Sequence, residues 1–148
     1  MKKHVLLIFI FITTLTSCSI ENDNSDLFYV EFMPIESVDI PEYFVYGETY
    51  EIFMTYTKPN SCYFFRDFYY AIDGNERTVA IENNVYQEDN CNETQEPENV
   101  SFNFTVTGSE TYLFKFYQGK DEEGVDQFLL IEVPIMDERP ETESSIKN

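Results

Sequence analysis

Tryptophan is absent from this 148-residue chain and histidine and basic residues are scarce, and the last two shortages each remove a class of function. There is no tryptophan, and the one histidine is His4, almost at the N-terminus. Without histidine further along there is no Ser-His-Asp or Cys-His nucleophile system. Histidine-bearing zinc sites and the commonest general base are excluded with it. Nine basic residues stand against 28 acidic ones, a net charge of −19. Affinity for nucleic acid rests on Lys and Arg neutralising phosphates, so nucleic acid is not a partner. Paired carboxylates are the acid–base chemistry that remains. With 28 acids any pair is uninformative, and the expectation is that the protein is not an enzyme.

What the chain does have begins at its N-terminus. Lys2 and Lys3 precede "VLLIFIFITTL", an apolar run of 11 residues. A membrane-spanning helix needs about 20. A basic start, a short apolar core and small residues after it are the pattern of a secretory signal. The run closes on Leu15-Thr16-Ser17-Cys18, which resembles the lipobox of bacterial lipoproteins. The resemblance implies that the Cys18 thiol receives a diacylglyceryl group, that residues 1–17 are removed as a signal peptide and that the lipid holds the protein to a membrane. One acyl chain anchors reversibly, and two or more anchor stably.

"SIENDNSD" follows Cys18 and has no apolar residue after Ile20, so residues 18–27 are expected to form the lipidated cysteine and an acidic, solvated tether. Acids just after the cysteine also resemble the export signal of Bacteroidota lipoproteins, although Asn22 separates Glu21 from Asp23. That resemblance implies the outer face of the outer membrane, with its periplasmic leaflet as the alternative. Cleavage removes Lys2 and Lys3, leaving seven basic residues against 28 acidic ones, or −21. With Cys18 lipidated, Cys62 and Cys91 remain, and a cysteine pair in an oxidising compartment is most simply a disulfide. Two free thiols or two metal ligands are the alternative, and the further ligands a metal would need are lacking.

Strand signals run through residues 28–136, one domain's worth of chain. "VSFNFTVT" puts Val100, Phe102, Phe104 and Val106 on one face and polar residues on the other. "ETYLFKFY" repeats the alternation with Tyr112, Phe114 and Phe116 inward, and "VDQFLLIEVPI" is its hairpin partner. "TYEIFMTYT" places Tyr50, Ile52, Met54 and Tyr56 together. Pro34 and Pro41 break the first extended stretch, which suits an edge strand that crosses between sheets.

"CYFFRDFYYAI" is aromatic at both parities. It reads either as a central strand covered on both faces or as a strand bulged at Arg66-Asp67, which sends Phe65, Phe68, Tyr70 and Ile72 inward. "DGNE" turns it back into "RTVAIENNVY". The acidic "QEDNCNETQEPEN" reads as a long loop, and 137–148 as a polar tail without periodicity. Seven or so short strands and no helical period predict a two-sheet β-sandwich. It resembles an immunoglobulin-like domain, with Tyr112 placed to serve as a tyrosine corner. The absence of tryptophan and the position of Cys91, ahead of the penultimate strand, depart from that family. The whole domain resembles small immunoglobulin-like lipoproteins of Bacteroidota, a resemblance that carries no catalytic motif.

Two candidate sites remain. "KDEEGVD" gathers Asp121, Glu122, Glu123 and Asp126 in one loop, and hard oxygen ligands suit Ca²⁺. The loop lacks the EF-hand pattern, and charge runs in loops are usually just solvated. No other cofactor is expected. Tyr63, Tyr69, Leu113, Tyr117 and Phe128 are placed on an outward face, where contiguous apolar surface marks an interaction site. The function these features imply is a lipid-anchored binding or accessory module of the outer membrane. A glycan-binding part of a surface uptake system and a structural envelope protein are the alternatives, so the partners to expect are the membrane, a glycan or an envelope protein.

Overall fold

The computed structural model describes residues 28–87 and 90–137, and strands are the only regular elements among them. The first, β1 (Phe28–Met33), stops at Pro34, which has no amide hydrogen to give a ladder. Ile35 N then donates to Tyr117 O (2.8 Å) and Glu36 N to Thr55 O (2.9 Å). Those two acceptors belong to different sheets, so the chain has crossed the sandwich as its prolines predict. After the crossing come β2 (Ser37–Asp39), β3 (Phe44–Val45) and the long β4 (Thr49–Asn60). The hairpin β5 (Tyr63–Asp73) and β6 (Glu76–Tyr86) follows, and then β7 (Glu93–Thr105). The chain closes with β8 (Tyr112–Lys120), β9 (Asp126–Val133) and β10 (Ile135–Met136).

The larger sheet is built on β6. Along one edge β6 pairs antiparallel with β5. Its other edge is shared end to end, with β1 antiparallel against 81–86 and β8 parallel against 76–79. Antiparallel β9 completes the sheet beyond β8. The smaller sheet runs β2-β4-β7, and β3 and β10 form a short parallel pair of their own. Facing alternate residues fill the space between the sheets. Ile52, Met54 and Tyr56 of β4 and Phe104 of β7 meet Val79 and Ile81 of β6 and Phe114 and Phe116 of β8.

The protein is thus an all-β, immunoglobulin-like sandwich, with the inward faces of β4, β7 and β8 as read from their alternation. Seven strands have six residues or more, and β2, β3 and β10 add two or three each. The parallel β6–β8 pairing is not visible in any local pattern. Tyr112 forms the corner: its buried hydroxyl accepts from Thr107 N (3.2 Å) and Gly108 N (2.6 Å). Burial alone would raise this phenol, but those amides and the Arg77 charge bring it below the ordinary tyrosine value. A Cβ on Gly108 would lie 2.8 Å from the same oxygen, which is why the corner has no side chain there.

Two expectations need correction. Residues 93–99, read as loop, are the first half of β7, because β4 extends far enough to pair with them, Thr57 opposite Pro97 and Lys58 opposite Glu96. Of the two readings of β5, the bulge is observed and the central position is not. Two residues of β5, Phe65 and Asp67, face consecutive residues of β6, Asn83 and Glu82, with Arg66 left over. Among the described residues β5 pairs with β6 alone and is an edge strand. Its inward rings therefore stay partly open, Phe65 at 36% and Tyr70 at 38% exposure.

Candidate binding face

The bulge decides which rings reach the outside. Before it, Tyr63 and Phe65 stand opposite Val85 and Asn83 on the inner face; after it, Tyr69 stands opposite Ala80 on the outer one. Tyr63 is therefore not an outward residue, although simple alternation groups it with Tyr69. Its hydroxyl donates to Glu31 Oε2 (3.0 Å) at the rim of the core. Burial and the Glu31 carboxylate both push that phenol above its ordinary value.

Register puts Tyr69, Leu113, Tyr117 and Phe128 on the outer face of the larger sheet, as expected. Phe32 of β1 joins them from a position the sequence reading missed. The signal was present in "FYVEFM", where Phe28, Val30 and Phe32 share one parity. Together the rings make a row across the strands. Tyr69 lies 5.6 Å from Phe32, Phe32 6.0 Å from Tyr117, and Tyr117 6.0 Å from Phe128, centroid to centroid. Neighbouring planes are turned by 61°, 63° and 66°. Tyr117 is buried, while Phe32 and Tyr69 are 44% and 45% exposed.

These rings, with Thr78, Ala80 and Asp126, line a groove of about 290 Å³. Ala80 is what makes the depression: a longer side chain opposite Tyr69 would fill it. Lys115 Nζ sits 5.7 Å over the Phe128 ring and pairs with Glu76 (3.3 Å), so the far end of the row is charged but neutralised. Phe64, Tyr86 and Phe28 make a second aromatic run on the same face, at 5.5 and 5.4 Å.

Cys62 and Cys91 are bonded, as expected, with Cα atoms 5.5 Å apart. Beside them Ser61 N donates to Asn92 O and Asn92 N to Ser61 Oγ, so the bridge pins the starts of β5 and β7 together. Cys18, the expected signal peptide and tether, and the expected tail beyond residue 137 lie outside the described residues.

In the acidic loop the four carboxylates do not converge. Asp121 closes its own turn, Oδ1 accepting from Glu123 N (3.1 Å) and Val125 N (2.8 Å) and Oδ2 from Gln127 Nε2 (2.7 Å). Asp126 is paired with Lys120, and Glu122 and Glu123 are exposed. Among the described residues no group of three or more acidic, histidine or cysteine side chains is gathered to hold a metal.

No family model matches the chain, and no curated protein or solved structure matches it at a significant level.

Proposed function

We propose that this protein is a lipid-anchored, non-enzymatic binding module of the outer membrane, held through Cys18 and displayed at the cell surface. Support for the anchor is the Leu15-Thr16-Ser17-Cys18 motif behind a short apolar run and ahead of an acidic tether. Support for binding is one observation, the row Tyr69–Phe32–Tyr117–Phe128 lying beside a groove across a sheet face that no described element covers. Exposed contiguous apolar surface of this kind marks a place of interaction. Within this reading a glycan is the favoured ligand. Aromatic faces take the C–H faces of sugar rings, and Thr78 and Asp126 in the same groove supply polar partners for hydroxyls. A purely structural envelope role would suit a flat, evenly acidic face, which this one is not.

Two experiments test the parts separately. Fatty-acid labelling in cells should mark the wild type and not Cys18→Ser; equal label in both would end the lipoprotein reading. Affinity electrophoresis of the full chain through envelope and plant polysaccharides should show retardation by at least one. The double change Phe32→Ala, Tyr69→Ala should abolish it while the domain stays folded, its melting temperature lowered by no more than about 10 °C. A wild type retarded by none would favour the structural role.

A further inference from the structure

Among the described residues Arg77 is the only basic side chain that is buried, at 7% exposure. Its Nη1 donates to the carbonyls of Gly74 (2.8 Å) and Glu76 (2.7 Å), and the guanidinium lies 4.8 Å from the centroid of the Tyr112 ring. Nε has no partner, and no carboxylate of the described residues reaches ion-pairing distance. Buried charges are ordinarily paired, because an unpaired one keeps its full desolvation cost. In a chain with 28 acids, a buried cation without one calls for a reason.

The space beside Arg77 supplies it. The sandwich is open between the edge strands β5 and β7, and the opening is a cleft of about 380 Å³ walled by Phe68, Tyr70, Ile72, Phe102 and Phe104, with Arg77 in its lining. Phe68 and Tyr70 pack on Phe102 at 5.5 and 5.8 Å, so the walls are held from both sheets. A cleft of this size lies at the small end of ligand sites. Its chemistry is apolar at the walls and cationic at one point.

We propose that this cleft binds a small amphipathic carboxylate, its hydrocarbon body against the rings and its carboxylate on Arg77. Arg77 lines the cleft, and a carboxylate against a guanidinium makes a charge-assisted hydrogen bond. This site is on the opposite side of β5 from the aromatic row and stands independently of the glycan reading. The protein's overall negative charge works against an anion at long range. Salt should therefore raise the affinity, since it screens distant acids more than a pair inside the cleft. Asp67 at the mouth adds to that opposition.

The test is calorimetric titration of the full chain with octanoate, octanol and octyltrimethylammonium, which share one tail and differ in head charge. Octanoate should bind about tenfold or more tightly than either, as expected of a charge-assisted hydrogen bond. Its affinity should rise with salt, and Asp67→Asn should raise it too. Arg77→Met should bring octanoate down to octanol. If that variant does not fold, Ile72→Glu places a carboxylate at a rim position that is 65% exposed. It should weaken octanoate about tenfold at an unchanged melting temperature. Equal binding of the three probes, or an octanoate preference that survives both variants, would overturn the proposal. So would failure of octanoate to bind together with a dimer that Ile72→Glu dissociates, which would give the cleft to a second copy.

Discussion

On the smaller sheet the outward positions of β4 and β7 include Thr49, Glu51, Thr55, Asn99, Ser101 and Thr105; on the larger sheet the outward positions include Phe32, Tyr69, Tyr117, Phe128 and Leu130. The polar face is closed on itself by cross-strand pairs. Thr49 meets Thr105 at 2.9 Å, Ser101 donates to Glu51 at 2.6 Å and Thr55 to Asn99 at 2.7 Å. Phe53 is its exception, at 43% exposure. Both faces belong to one sandwich over one core, so the fold does not need rings on its outside. The polar face shows what alternation produces when only folding is served. The aromatic face is an addition to it, and binding is the physical reason we assign.

The sharpest way to break this comparison is to remove one ring from inside and one from outside. Phe114 is fully buried and lies 5.7 Å from Phe116 with planes 10° apart. Phe114→Ala should cost about 3–5 kcal/mol in urea unfolding, the usual range for a core phenylalanine. Tyr69→Ala should cost less than about 1 kcal/mol, as surface changes do. If Tyr69→Ala costs as much as Phe114→Ala, the outer row is part of the core and the contrast fails.

Next in size is the disulfide, which belongs to neither face. It closes a separation of 29 residues, worth about 3.5 kcal/mol in the chain-entropy account. Reduction should lower stability by roughly that amount while both sheets remain, because each strand keeps its own ladder. Circular dichroism before and after reduction checks it; loss of the strand signal would show that the bridge creates the fold rather than pinning β5 to β7.

The smallest expected effect is a titration. Tyr56 lies inward on β4 with its hydroxyl on Glu98 Oε2 (3.2 Å). Burial, with the Glu98 carboxylate adding and Asn83 opposing, pushes its phenol up to about 12. A raised folded value favours the neutral phenol, so this stabilisation is complete below the unfolded value near 10 and lost as pH rises through 12. Unfolding free energy should be flat up to about pH 10 and fall beyond it. Tyr56→Phe should reduce the slope, and an unchanged slope would place the alkaline sensitivity elsewhere.

Legibility in the sequence followed the range of the forces involved. Inward faces of β4, β7 and β8 were readable because a one-sided burial stamps a period of two on the residues themselves. Chain crossing at Pro34 was readable because a missing amide is a local fact. The extension of β7 through Glu93–Asn99 was hidden, since acids and Pro97 carry no strand signal and only the length of β4 recruits them. Tyr63 was misplaced by one bulged residue, and Phe32 was overlooked because β1 reaches the row only by pairing with β6 end to end with β8. Arg77 was invisible for the same reason: nothing local marks a cation for burial.

The bulge in β5 has a protective side as well. "YFFRDFYYAI", residues 63–72, is rich in rings and sits on an open sheet edge, the kind of segment that recruits other chains into aggregates. Its two charges, Arg66 and Asp67, stand at the bulge, where one residue is out of register with β6. On the facing edge β7 carries Pro97 and the acids Glu93, Glu96 and Glu98. Misregistered backbone, a missing amide and repelling carboxylates act as gatekeepers on both open edges. They set an aromatic-rich domain against edge-to-edge pairing with other chains.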